Sequence, residues 1–243
     1  DAPNVCNINY KQNELGYIIG TLAGALTKTQ GVENINPENT IGFVGGVDIP
    51  VINDFLYGFL LGAQTANPDV KVDTRYVGNF YDTAASKEFA LSMINDKKCD
   101  VIWGVAGLAG NGAAEAALET KKAWFIGVDS DQELTLSKEL AGVTITSGLK
   151  NVGTSLVWFF DELDAGKEHY GELVLLGLPE NGIGIITDKN FDKVVPADVK
   201  ELVNKAIQDV IDGKVVVPTA IGEEKAEGKD KTGLEILRDS LQP

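Results

Sequence analysis

The chain has 243 residues, 44% hydrophobic and 23% charged, with 21 basic against 36 acidic side chains and a formal net charge of −15. That length suffices for one large domain or two small lobes, and the acidic balance argues against nucleic acid and anionic membrane surfaces as partners. One histidine, His169, and two isolated cysteines, Cys6 and Cys99, rule out a Cys/His zinc site and any mechanism needing two histidines. Isolated cysteines of this kind are expected as free, buried thiols, and whether they pair is left to the fold.

In chain order, Asn4–Tyr10 alternates like a strand, and a helix follows through Leu15, Ile18, Ile19, Leu22 and Leu26. Gly16–Leu26 is the most apolar stretch, and no run reaches the about 18 uncharged apolar residues of a membrane span. Thr40–Gly46 reads as a short strand ending in glycines, Ile52–Ala66 as a helix and Val70–Val77 as a strand. Ala84–Ile94 is helical, Asp100–Val105 a strand, Gly112–Glu119 an alanine-rich helix and Ala123–Val128 a strand ending at Asp129. Val143–Thr146 is expected as a strand and Leu149–Leu163 as a helix. This alternation predicts βαβ units around a parallel sheet, and strands without clean alternation predict burial on both faces. After Gly171 the pattern changes. Glu172–Leu178 and Gly182–Ile186 look like an antiparallel pair across the turn Pro179–Gly182. Pro196 fits the start of a helix running to about Ile211 and closed by Asp212-Gly213. Glu223–Lys231 reads as a solvated loop.

In open parallel sheets ligands bind beyond the carboxyl ends of the strands, so the residues that end each strand are the candidates. Asp129 is either a turn or cap residue, or a carboxylate that accepts paired sugar hydroxyls. Lys150, expected at a helix start, opposes the helix dipole there. Phe80, in the loop Gly78–Asp82, either stacks on a ligand ring or plugs the core. Gly107-Leu-Ala-Gly110-Asn-Gly112 is either a tight turn or a backbone approach to ligand at a helix N-terminus. Phe55 reads as core. Asp48 and Asp129 both end strands and form a formal carboxylate pair of the kind glycosidases use. The nearest approach to a phosphate-binding loop, Gly222 through Asp230, has the wrong spacing and lacks the Ser/Thr. No GxSxG elbow is present.

Several of these stretches resemble the basic membrane protein family of substrate-binding lipoproteins, which includes purine nucleoside receptors of ABC transporters. They are Gly42-Phe-Val-Gly-Gly-Val-Asp-Ile-Pro-Val-Ile52, Tyr76-Val-Gly-Asn-Phe80, Trp124-Phe-Ile-Gly-Val-Asp-Ser-Asp-Gln132 and Thr146-Ser-Gly-Leu-Lys150. Gly177-Leu178 with Asn181-Gly-Ile-Gly184, and Asp212-Gly-Lys-Val-Val-Val-Pro218, also match, as does the opening Asn9-Tyr10-Lys11 through Gly20. The resemblance implies a type I periplasmic-binding-protein-like α/β fold, two lobes with parallel sheets flanked by helices. It implies a crossing strand and helix at 1–33, a second lobe at 34–140, a return segment at 141–222 and a charged tail with a short helix at 223–243. Family members carry several βα units before the equivalent of Asn4, and a signal peptide with a lipid-anchored cysteine before those. At about 30 residues per unit some 100 residues are expected ahead of this chain's first strand, so the first lobe is expected to be incomplete here, with open strand edges. The resemblance further implies a small-molecule ligand, a purine nucleoside above all, with an ABC transporter permease as partner, an extracytoplasmic location, no cofactor and no catalysis. By matched motif Phe80 stacks on the base, Asp129 holds the ribose hydroxyls, and Lys150 holds the ribose and balances Asp129. Gly107, Asp48 and Phe55 are further ligand-binding candidates. A flavin or sugar-like ligand, a sensing role without transport, and a carboxylate hydrolase are the alternatives.

Overall fold

The computed structural model describes residues 2–243. Among them a six-stranded sheet forms from β2 (Thr40–Gly45), β3 (Lys71–Tyr76), β4 (Val101–Val105), β5 (Trp124–Asp129), β6 (Thr144–Lys150) and β8 (Ile183–Ile185), in the order β3-β2-β4-β5-β6-β8. Its first five strands are parallel and β8 runs antiparallel to β6. The remaining strands, β1 (Asn7–Tyr10) and β7 (Leu173–Leu176), make a separate two-stranded parallel sheet.

Neighbouring residues of each central strand project to opposite faces, and this divides the core in two. Phe43, Trp103 and Ile126 pack on one side of the sheet with α1 (Gln12–Thr27), α2 (Pro50–Ala66) and α9 (Ala197–Ile211). Val44, Ile102 and Phe125 pack on the other with α3 (Thr83–Asn95) and α4 (Asn111–Thr120). Trp103 is the hub of the first side. Its ring meets Phe43, Phe55 and Phe59 at centroid distances of 5.7, 5.6 and 5.4 Å, and its indole N–H donates to the Gly127 carbonyl at 3.0 Å. A buried indole N–H without such a partner would be costly.

α1 and α2 approach so closely that their backbones touch. A Cβ on Gly16 or Gly20 would run into the Phe55 or Phe59 carbonyl, and one on Gly58 or Gly62 into the Asn13 or Tyr17 carbonyl. Every residue of α1 is buried as a result. α9 covers α1 with Val199, Val203, Ala206 and Val210, a spacing that places them on one helical stripe. Short helices α5 (Gln132–Thr135) and α6 (Lys138–Ala141) join β5 to β6, and α8 (Lys189–Val194) follows β8. α10 (Gly233–Leu241), opened by a capping box between Thr232 and Glu235, buries Leu234 and Leu241 against the α2 side of the core.

Three expectations are corrected. Glu172–Leu178 and Gly182–Ile186 do not pair with each other, because β7 bonds to β1 and β8 to β6. The turn itself closes, with the Asn181 N–H donating to the Leu178 carbonyl at 3.1 Å and the Gly182 N–H to the Gly177 carbonyl at 2.9 Å, but its flanking strands part into different sheets. Lys150 is the last residue of β6 and not part of a helix; α7 (Val152–Asp164) starts after Asn151. The six-stranded body takes in α1 ahead of residue 34 and β6, β8 and α9 after residue 140. The chain passes between the two sheets three times, at Lys11, at Asn151 and at Gly177–Gly182; the Lys11 N–H donates to the Leu176 carbonyl at 3.0 Å and the Asn151 N–H to the Gly182 carbonyl at 2.9 Å. Both cysteines are free: Cys99 is buried, whereas Cys6 is partly exposed, against the expectation of burial for both.

Candidate ligand-binding site

β5 ends at Asp129, whose φ of +67° puts an L-residue in the left-handed region. Aspartate is among the few residues that adopt this conformation at modest strain. The turn lifts its carboxylate into solvent at the sheet's edge. Capping of the following helix falls to Asp131, whose carboxylate accepts the Glu133 N–H at 3.2 Å, so Asp129 is left free of that task.

Parallel pairing of β5 with β6 sets Asp129 opposite Leu149, which places Lys150 one residue further along the same edge. The Lys150 ammonium lies 3.8 Å from an Asp129 carboxylate oxygen. It also sits 4.9 Å from the centre of the Phe55 ring and 6.0 Å from that of Tyr10, within reach of cation–π attraction. Two aromatic faces and one carboxylate thus hold the ammonium at the mouth of the sheet.

Phe80 is seated by glycines. A side chain on Gly46 would overlap its ring, and Gly107, at φ +55°, lies beside its Cβ. The Phe80 carbonyl accepts the Ala109 N–H at 3.0 Å, tying the loop after β3 to the 3-10 turn Gly107–Gly110 that follows β4. Asn79 accepts the Tyr81 and Asp82 N–H groups at 3.0 and 2.8 Å and fixes the loop's exit. With its backbone held, Phe80 keeps 41% of its surface exposed.

Phe55, Phe80, Gly107, Asp129 and Lys150 all line one depression of about 300 Å³. Its apolar walls come from Val51 and Ile52 at the start of α2, Val105, Leu108 and Val128. Phe55 is fully buried beneath the floor, so it belongs to the core and to the site at once. Asp48 is not brought there. It lines a second, smaller depression with Asn53, Glu223 and Arg238. Asp48 and Asp129 therefore do not flank one cavity as a glycosidase pair would.

Sequence reasoning passed over Asp54, which is buried on the apolar face of α2. Its carboxylate accepts the Asn13 N–H at 3.1 Å, the Thr219 hydroxyl at 2.5 Å and the Ala220 N–H at 2.9 Å. Burial pushes its pKa up, while those three donors and the Lys150 charge pull against the rise. An acid between Ile52 and Phe55 in a helix was the available signal. Tyr10 and Leu108 were also passed over, and nothing in their local pattern sets them apart. Among the described residues no group of three His, Cys, Asp or Glu side chains converges to hold a metal, and no helix is long and apolar enough to cross a membrane.

Residues 1–219 match the family described as ABC transporter substrate-binding protein PnrA-like. The chain is 34% identical over 231 residues to the ABC transporter nucleoside-binding protein BmpA of Lactococcus lactis, covering 90% of this chain and 62% of that protein. It is 33% identical over 221 residues to basic membrane protein D of Borreliella burgdorferi, covering 88% of this chain and 59% of that protein. The chain thus spans about three fifths of the length of these curated relatives. Among solved structures it superposes on an ABC transporter solute-binding protein from Conexibacter woesei with a TM-score of 0.71 at 26% identity, over 90% of this chain and 67% of that one.

Proposed function

Since the chain belongs to the PnrA-like family of ABC transporter substrate-binding proteins, we propose that it carries the larger share of a receptor that captures a purine nucleoside outside the cytoplasm and delivers it to a membrane permease. The observation that supports this reading is the convergence of Phe80, Asp129 and Lys150 on one depression. A half-exposed aromatic face suits a base, and stacking of that kind contributes about 1–3 kcal/mol. A carboxylate beside an ammonium suits adjacent ribose hydroxyls, the carboxylate accepting and the ammonium donating. The name of the Lactococcus relative points to the same ligand class.

The mechanism is binding without chemistry. Open and closed forms interconvert by hinge motion, and a ligand shifts the balance only by contacting the closed form better. In this reading the six-stranded body presents the stacking ring and the ribose pair, and the segments that cross at Lys11, Asn151 and Gly177 are the hinge. A lipid anchor ahead of this chain would hold the receptor at the membrane.

Calorimetric titration with inosine, adenosine and guanosine tests the proposal. Binding of at least one is expected, with Phe80→Ala and Asp129→Ala each weakening it by about tenfold or more. Unchanged affinity in both variants would remove these residues from the site. A thermal shift with a flavin or a pentose but none with nucleosides would replace the ligand.

A further inference from the structure

Asp48 stands apart from the depression that gathers the other candidates, and its surroundings suggest a different task. The Asn53 side-chain amide donates to Asp48 at 2.8 Å, and the Tyr76 hydroxyl donates to the Asn53 side-chain oxygen at 2.6 Å. Burial keeps that hydroxyl protonated well beyond its usual range, with the Asp48 charge adding to the rise and Arg238 opposing it. Tyr76 therefore acts as a fixed donor. The three residues come from three elements: the loop after β2, the first turn of α2 and the end of β3. Arg238 of α10 lines the second depression together with Asp48 and Asn53. α10 lies beyond residue 219, where the family match ends.

The loop from Gly46 to Ile49 runs between the two depressions. At one end Gly46 is pressed against the Phe80 ring. Its N–H donates to the Val105 carbonyl at 2.9 Å, and its own carbonyl accepts the Gly78 N–H at 2.7 Å. At the other end is Asp48. We infer that Asp48 is a positioning residue and not a ligand contact: with Asn53, Tyr76 and Arg238 it fixes the loop whose Gly46 seats Phe80, so that α10 sets the orientation of the stacking ring from outside the site. The consequence for ligand rests on the nucleoside reading; the fixing of the loop does not.

Physical reasoning favours positioning. Asp48 is exposed yet already engaged by Asn53. It precedes α2 by two residues, where a negative charge is favourable at the helix start. Its carboxylate thus has a local use that involves no ligand, and its effect reaches Phe80 through Gly46 and through Tyr76 at the end of β3.

The experiment is hydrogen exchange on the unliganded chain and on Asp48→Ala, Asp48→Asn and Arg238→Ala, with inosine affinity measured on the same samples. In Asp48→Ala and Arg238→Ala the Gly46 and Gly78 amides are expected to exchange roughly fivefold faster, while amides of α1 are unchanged. Asp48→Asn, which keeps an acceptor for Asn53, is expected to restore most of the protection. Inosine affinity should fall by about threefold in step with the exchange. Unaltered exchange in both alanine variants overturns the inference, as does a loss of inosine affinity in Asp48→Ala without faster exchange, which would make Asp48 a contact. Faster exchange in a chain that binds no inosine upholds the positioning role and removes the nucleoside reading instead.

Discussion

The two sheets of this molecule use the same apolar residue types to opposite ends. In the six-stranded body Phe43, Val44, Ile102, Trp103, Phe125 and Ile126 are all buried, because helices cover both faces. In the smaller unit Leu173 and Leu175 of β7 are exposed, and so are Val152, Leu156, Val157 and Phe160 of α7. Phe160 keeps 60% of its surface in contact with solvent, and of the α7 residues only Ser155 is buried. An amphipathic pattern therefore specifies a helix or strand without specifying what covers it. The body supplies its own cover within the chain, and the small sheet does not.

Substitutions at glycines should expose this contrast most sharply. Gly58→Ala places a methyl group on the Asn13 carbonyl inside the body and is expected to destabilise it by about 3 kcal/mol, read as a lower urea midpoint at constant slope. Gly153→Ala in α7, where no atom lies within contact range, is expected to be neutral or stabilising by up to about 1 kcal/mol. Equal effects at the two positions would erase the distinction between the regions.

Next in size is a pH dependence confined to the body. Asp100 is buried beside the Thr27 hydroxyl at 2.7 Å and the Asn36 N–H at 3.0 Å, and burial raises its pKa from 3.8 to about 7. Between those values the folded chain keeps a proton that the unfolded chain has released, so stability falls as pH rises across this window. Asp100→Asn should flatten that slope in thermal melts between pH 4 and 7; an unchanged slope would assign it to other groups.

Smaller effects belong to the second region. Phe160→Ser should shift the unfolding midpoint of the body by less than about 0.5 kcal/mol, and a larger loss would show that α7 packs against more than its exposure suggests. The smallest change expected is at His169, stacked on Trp158 and flanked by Glu172 at 2.9 Å and Glu162 at 3.3 Å. These carboxylates raise its pKa. Their support is full below the ordinary histidine value near 6.5 and fades as pH rises through the elevated one. NMR titration of the ring should find the elevated pKa, and the exchange protection of residues 165–172 should decline over the same range.

The body was legible because its strands are short apolar runs bounded by glycine, and its helices carry periodic Leu, Ile and Phe. The carboxyl-edge rule then pointed from those strands to Phe80 and Asp129 as candidates without any knowledge of their distances. What was illegible depended on partners far away in sequence. Pro179–Gly182 carries every local signal of a turn and forms one, yet the strands on either side of it find their partners in β1 and β6, far away in sequence. Lys150 was expected in a helix because Ser147-Gly148 interrupts the apolar run. Pairing with β5, across a register shift between Phe125 and Ile126, carries the strand through both residues. Asp48 was expected to end a strand like Asp129, but β2 stops at Gly45 and Asp48 lies in the loop beyond it, beside residues of the C-terminal segment.

The glycine contact between α1 and α2 has a mechanical consequence. Helices that meet through long side chains can absorb a displacement as rotamers change. Gly16 and Gly20 rest directly on the carbonyls of Phe55 and Phe59, so no compressible layer lies between the two axes. α1 begins at Gln12, one residue after Lys11 and two after the end of β1 in the small sheet. A shift of α1 within the body is therefore passed directly to α2, because no side-chain layer lies between them to absorb it. α1 and α2 thus form one rigid layer, and Phe55, which lines the depression at the sheet's carboxyl edge, is part of it.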